Sequence, residues 1–292
     1  MQLLDGKVVS GHFKEEIKKQ VQEFVNHGKR VPHLAAILVG EDPASQAYVG
    51  SKVKTCADLG FHSSLVRFDA STAEETVLLK IKEFNNDKNI DGILVQLPLP
   101  KHISESKVIE TIDPGKDVDG FHPLNQGKMM SGLPSFIPAT PYGIMLMLEF
   151  YGIKTSGLNC VVIGRSNIVG TPMSILLSRN TEPGNCTVTL CHSRTKNIKE
   201  LCLQADIIVA AMGKPGFVTE DMVKEGVIII DVGINRIESN ETKSGYKLTG
   251  DVDFANVAEK ARYITPVPGG VGLMTICGLM KNTVKAYMSK DE

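Results

Sequence analysis

The most constraining feature of this chain is an alternation of short, nearly continuous apolar runs with stretches of helical length and periodicity. The runs at residues 34–39, 92–97, 160–163, 187–191, 207–211 and 227–232 are mostly rich in Val, Ile and Leu. A strand can be apolar on both faces only when both are covered, and crossover helices between parallel strands supply that cover. The pattern predicts an α/β fold with doubly wound sheets.

Helix punctuation agrees. Asp42-Pro43 sets a capping carboxylate and then a proline where a first helical turn tolerates it, and Gly60 stops the run that follows. A second helix is expected from near Pro141 through 143–152, and a third over 273–288. The segment 116–141, full of Gly, Pro, Asn and Ser, reads as a loop-rich seam. It divides a first domain, 1–141, from a dinucleotide-binding domain, 142–272, with 273–292 returning to the first.

At 292 residues the chain is long enough for two such domains without a stabilising disulfide or metal. A net charge of −1 creates no field that favours nucleic acid. No basic cluster suggests a membrane surface, and no apolar run suggests a membrane span. The opening residues lack the order of a signal peptide. Six cysteines without a Cys-x-x-Cys pair read as buried thiols in a reducing, cytoplasmic compartment. Seven histidines never take metal-ligand spacing, so no metal is expected. A small molecule is the expected partner.

The segment CVVIG-RSNIVG-TPMSILL reads as strand, glycine-bounded loop and helix. Gly164 would permit a sharp turn, Gly170 a close approach, and the free N–H groups of the next helix would face a pyrophosphate. The spacing is Gly-x5-Gly rather than Gly-x-Gly-x-x-Gly, so spacing alone leaves an ordinary strand–turn–helix equally open. The next strand ends in His192-Ser193-Arg194-Thr195, with no acid to hold a ribose hydroxyl. Arg165, Arg194 and Ser193 suit a 2′-phosphate, which favours NADP over NAD; solvated loop arginines are the alternative.

Tyr48 and Lys52 lie four apart on one helix face, beside a stripe of Val49, Val53 and Cys56. They could stack a flat ring and move a proton, or be a surface lysine lying along a tyrosine. Gln96 ends an apolar strand where parallel sheets build ligand sites, although a capping glutamine is as good a reading. Asp117 and Asp119 bracket Val118, where a carboxylate could accept two N–H bonds from an aminopyrimidine edge or simply serve a turn. TPVPGGVG, at 265–272, could line a ligand cleft or form a tight interdomain turn.

Taken in order, YVGSKVK, DGILVQLPLP, KDVDGFHP, PATPYGI, VVIGRSNIVGTP, CHSRT, DVGIN, GDVDF and PVPGGVGLMT resemble the bifunctional methylenetetrahydrofolate dehydrogenase/methenyltetrahydrofolate cyclohydrolase family of the bacterial FolD type. The likeness covers nearly the whole chain. It implies two α/β domains flanking a cleft, the second a Rossmann-like doubly wound parallel sheet, and a homodimer formed through the cofactor domains. By this resemblance Lys52 is the catalytic lysine, Gln96 tunes its protonation, Tyr48 packs on the folate ring and Asp119 anchors the aminopyrimidine. Gly164, Arg165, Ser166, Ser193 and Ile234 would hold NADP, and Pro266, Gly269 and Gly270 would border the folate.

Two positions depart from the family pattern. Ala139 stands where a cysteine is usual, and Leu273 where a proline is usual, which would loosen a φ-restricted turn. The implied activity is oxidation of 5,10-methylenetetrahydrofolate to the methenyl form, then hydrolysis to 10-formyltetrahydrofolate, on a substrate bound between the domains. A dehydrogenase without the hydrolase step, an NADP dehydrogenase for another substrate, and a non-catalytic NADP-binding sensor remain the alternatives.

Overall fold

The structure is a computed structural model that describes residues 1–239, 242 and 245–290. Asn240, Glu241, Lys243 and Ser244 of the expected 142–272 domain, and Asp291 and Glu292 of the expected C-terminal segment, lie outside the described residues. The chain opens with strand β1 (Gln2–Leu3) and helix α1 (Gly6–Asn26). Then β2 (His33–Val39), α2 (Pro43–Leu59), β3 (His62–Phe68), α3 (Glu74–Asn86) and β4 (Gly92–Val95) alternate. Helices α4 (Glu105–Thr111), α5 (Pro123–Met130) and α6 (Ala139–Phe150) follow. A second alternation holds β5 (Asn159–Ile163), α7 (Gly170–Ser178), β6 (Thr187–Cys191), α8 (Ile198–Gln204), β7 (Ile207–Ala210) and β8 (Ile228–Asp231). Last come β9 (Asn235–Glu238), β10 (Tyr246–Thr249), α9 (Phe254–Lys260), β11 (Tyr263–Ile264) and α10 (Val271–Met288).

These elements form two compact units. The first comprises His12–Ala139 and Ile276–Glu292, and the second Met1–Gly11 and Thr140–Thr275. In the first, a parallel sheet has the order β3-β2-β4. Because successive side chains point to opposite faces, β2 feeds two cores. Leu34 and Ala36 join Leu94 against Ile17 and Val21 of α1, Cys56 and Leu59 of α2, and Leu279 and Met280 of α10. Ala35 and Ile37 join Ile93 and Val95 against Val77, Ile81 and Phe84 of α3. Each fully buried Leu or Ile stabilises the fold by about 1.5–3 kcal/mol, so the central strand anchors both layers.

The second unit carries a six-stranded parallel sheet in the order β1-β11-β8-β7-β5-β6. From β5 the chain moves outward to β6 and then crosses back to β7. That reversal is a topological switch point, at whose carboxyl end an α/β sheet builds its ligand site. Val161, Ile163, Ile208, Ala210 and Ile229 supply one core face. β9 and β10 pair as a separate antiparallel hairpin.

Several sequence expectations need correction. The 116–141 segment is not loop throughout: α5 forms there, its first turn capped by His122, whose Nδ1 accepts from Leu124 N at 3.1 Å. Strand β3 escaped the apolar-run criterion because it is an edge strand, exposed or half-buried along its length. β4 stops at Val95 rather than residue 97, since Pro98 and Pro100 cannot donate to a ladder. The two-residue strands β1 and β11 are too short for any periodicity to reveal.

Candidate active site

Helix α2 forms because both ends are specified. Asp42 accepts from Ser45 N at 2.7 Å, Pro43 occupies the first turn, and Gly60 closes the helix at φ +79°. Its buried stripe is Ser45, Val49, Lys52, Cys56 and Leu59, a spacing of four, three, four and three. The sequence reading set Lys52 beside this stripe; the structure sets it within. Lys52 is 4% exposed, and its Nζ sits 4.6 Å from the centroid of the half-buried Tyr48 ring. Burial drives the amine's pKa below the ordinary lysine value, and the nearby Asp119 carboxylate opposes that shift.

Gln96 lies just past the carboxyl end of β4 and is itself buried. Its Nε2 donates to Leu97 O at 2.6 Å, which turns Oε1 toward Lys52; Lys52 Nζ donates to that oxygen at 3.2 Å. The glutamine can orient the amine in either protonation state without adding charge.

Asp119 follows on the loop that continues past the sheet. Burial raises its carboxyl pKa to about 6, with Lys52 pulling it down and Asp117 pushing it up. Lys52 and Asp119 thus shift toward neutrality together, because burial penalises both charges more than their mutual attraction restores them. The neighbouring Asp117 serves the turn. It accepts from Phe121 N at 3.1 Å, His122 N at 2.8 Å and Asn125 Nδ2 at 2.9 Å. The sequence reading missed Asn282 of α10, whose Nδ2 donates to Val118 O at 2.8 Å and Ile137 O at 2.9 Å. A lone asparagine on an apolar helix face was the only signal. The departure at Ala139 is mild here, since its backbone N–H donates to Asp119 O at 3.2 Å whatever the side chain.

In the second unit, β5 runs into the glycine-bounded turn. Gly164 adopts φ +117° against the Ala211 carbonyl, and a Cβ on Gly170 would strike the Gly164 carbonyl. No side chain fits at either place. One expectation is corrected: not every N–H at the start of α7 is free. Ser166 Oγ accepts from Val169 N at 3.2 Å and Gly170 N at 3.4 Å, and Ser166 O from Thr171 N at 3.0 Å. Ser166 therefore braces the loop, while Arg165, Ser193 and Arg194 stand exposed at the carboxyl ends of β5 and β6. The glycine cradle, the cations and the absence of an acid at the β6 tip fit a phosphorylated dinucleotide.

Ile234, after β8, is 58% exposed, unusual for an isoleucine set between two strands. Gly272 lies beside it, close enough that a Cβ there would approach Ile234 Cδ1 to 3.3 Å. Pro266 and Gly269 are half-buried, and Gly270 packs its carbonyl against Gly6 of α1. The departure at Leu273 gives up a fixed φ but gains a bond that proline could not make, Leu273 N donating to Gly270 O at 3.3 Å.

The fold and these residues define a dinucleotide-binding α/β protein whose other unit carries a lysine-centred site. Comparison with known proteins narrows that class. Residues 4–119 match the model of the tetrahydrofolate dehydrogenase/cyclohydrolase catalytic domain, and residues 138–291 that of the family's NAD(P)-binding domain. The chain belongs to the tetrahydrofolate dehydrogenase/cyclohydrolase family. It is 59% identical to the bifunctional protein FolD of Cytophaga hutchinsonii, over 99% of this chain and 100% of that one. The crystal structure of a bifunctional FolD enzyme from Campylobacter jejuni superposes with a TM-score of 0.93 at 47% identity, covering 99% of each chain. A Trypanosoma brucei dehydrogenase-cyclohydrolase complexed with NADP and an inhibitor gives 0.93 at 34% identity, covering 99% of this chain and 97% of that one.

Proposed function

We propose that this protein oxidises 5,10-methylenetetrahydrofolate to 5,10-methenyltetrahydrofolate with NADP, then hydrolyses the methenyl form to 10-formyltetrahydrofolate. The observation that carries the reading is the buried Lys52 amine, held by Gln96 against Tyr48 and within electrostatic reach of Asp119. A lysine hidden from water costs stability, and one held beside the carboxyl end of a strand with a perturbed pKa marks a functional site.

Tyr48 offers a face for the pteridine, and the Asp119 carboxylate an acceptor pair for its aminopyrimidine edge. When bound, NADP supplies the hydride acceptor. Gly164 and Gly170 let the pyrophosphate approach the backbone, Arg165, Ser166 and Ser193 hold the phosphates, and Ile234 presents an apolar surface to the cofactor. Positioning supplies much of the acceleration of hydride loss, because the folate's nitrogen lone pair does the electronic work.

Hydrolysis then adds water to the methenyl carbon. A C–O bond forms and one proton of the water passes to the unprotonated Lys52 amine; the C–N5 bond then breaks, its electron pair and the remaining hydroxyl proton go to N5, and the formyl group stays on N10. The depressed pKa leaves more amine unprotonated near neutrality than an exposed lysine would have. Gln96 Oε1 accepts from the amine throughout and keeps it aimed. Pro266, Gly269 and Gly270 border the folate in this reading.

The unit His12–Ala139 with Ile276–Glu292 would be the folate-binding domain and the unit Met1–Gly11 with Thr140–Thr275 the NADP-binding domain, so residues 1–11, expected in the first domain, fall in the second, where β1 pairs with β11. The protein would act in the cytoplasm as a homodimer; the first rests on its cysteine usage, the second on family likeness, and light scattering of the purified chain tests it. The activity is tested by following methylene-folate oxidation with NADP and with NAD, and methenyl-folate hydrolysis alone. Both activities with a preference for NADP are expected. Oxidation without hydrolysis would reduce the protein to a dehydrogenase, and neither activity would leave the sensor reading.

A further inference from the structure

Two sequence motifs carry carboxylates with no role in the chemistry above: DVGIN, which begins at the last residue of β8, and GDVDF after β10. Each contributes a fully or almost fully buried carboxylate, Asp231 at 3% exposure and Asp251 at 0%. Asp231 Oδ1 accepts from Gly233 N and Asp251 N, both at 2.9 Å, and its Oδ2 from Val252 N at 3.0 Å. Asp251 Oδ2 accepts from Met212 N at 2.7 Å and Gly213 N at 2.9 Å; its Oδ1 accepts from Lys214 N and Asn235 Nδ2, each at 2.9 Å.

The carboxylates therefore clasp three segments. These are the loop leaving β7, the loop leaving β8, and the 250–252 stretch. Glycine is required where they approach the chain, since a Cβ on Gly233 would strike the Asp251 carboxyl and one on Gly250 the Asp231 carboxyl. With every oxygen engaged by N–H donors, the pair is built to hold backbone rather than to bind metal.

The sheet order says what the clasp serves. β6 lies on one side of β5 and carries the cationic tip at Ser193 and Arg194; β7 and β8 lie on the other. A dinucleotide that crosses the carboxyl ends with its phosphorylated ribose at β6 must place its other nucleoside over β7 and β8. There Ile234 stands exposed between Gly233, tied to Asp231, and Asn235, tied to Asp251.

We infer that Asp251, itself held by Asp231, is a positioning residue for the nicotinamide half of the cofactor, fixing the 212–214 loop and Ile234 without touching the ligand. The inference rests on NADP binding to this unit. Asp251→Asn keeps the shape but turns one acceptor into a donor facing N–H groups.

Titration of that variant should weaken NADP binding about tenfold or more. Binding of adenosine 2′,5′-bisphosphate, which lacks the nicotinamide half, should stay within about twofold of the parent. Methenyl-folate hydrolysis, which uses no cofactor, should persist and so report an intact fold. Equal weakening of both ligands, or unchanged NADP binding, would overturn the inference. Should the variant fail to fold, Asn235→Ala removes a single donor from the clasp. It should raise the KM for NADP and spare the bisphosphate; no change in either would equally overturn it. If the parent binds neither ligand, it is the cofactor reading that fails.

Discussion

Lys52 is the residue at which function and stability pull apart. Its amine lies in the apolar stripe of α2, where holding a charge costs several kcal/mol. Methionine matches the shape without the charge, so Lys52→Met should unfold at or above the parent's Tm in a thermal melt. Asp119 makes the complementary point in pH. A carboxyl raised to about 6 ionises only above that pH, and an aminopyrimidine needs the ionised form. The KM for methylene-folate should therefore rise as pH falls through about 6. Asp119→Asn should abolish that dependence and weaken folate binding about tenfold or more at pH 7.5.

Among the elements, α2 and the β5–α7 turn carry the sites, and both were legible in sequence for a physical reason. Asp42-Pro43 and Gly60 state where a helix begins and ends, and strands such as β5, buried along nearly all their length, must be apolar throughout. β3 stayed hidden because an edge strand alternates weakly, and α5 because its cap is a histidine in a segment of turn-forming residues. The burial of Lys52 was half legible: the 45-49-52-56-59 spacing was present, but a lysine within such a stripe reads as polar. The Asp251 clasp was not legible, because its donors come from loops that only the fold brings together. Gly170→Ala tests the turn. The added methyl would meet the Gly164 carbonyl, so the KM for NADP should rise steeply while methenyl-folate hydrolysis continues.

At the scale of the whole chain, segments far apart in sequence close the first unit around Asp91. This carboxylate, 0% exposed, accepts from Arg30 at 2.6 and 2.7 Å and from His33 N at 2.9 Å, and lies 3.0 Å from Lys290. Burial pushes its pKa up, but the bonds from Arg30, Lys290 and His33 together hold it below the usual carboxylate value. A lowered pKa in the folded state means stability present above the unfolded value, about 3.9, and lost as pH falls through the folded one. Asp91→Asn should cost on the order of 3 kcal/mol in urea denaturation at pH 7, moderated by the partial exposure of Arg30, with the deficit shrinking below about pH 4.

One substitution bears most directly on the chemistry assigned to Lys52. Methenyl-folate hydrolysis by Lys52→Met, measured on protein shown to be folded and to bind NADP, should fall by about 100-fold or more. Oxidation of methylene-folate should survive at least in part. Hydrolysis at the parent's rate would mean that the buried amine does not move the proton, and the mechanism built on it would be wrong.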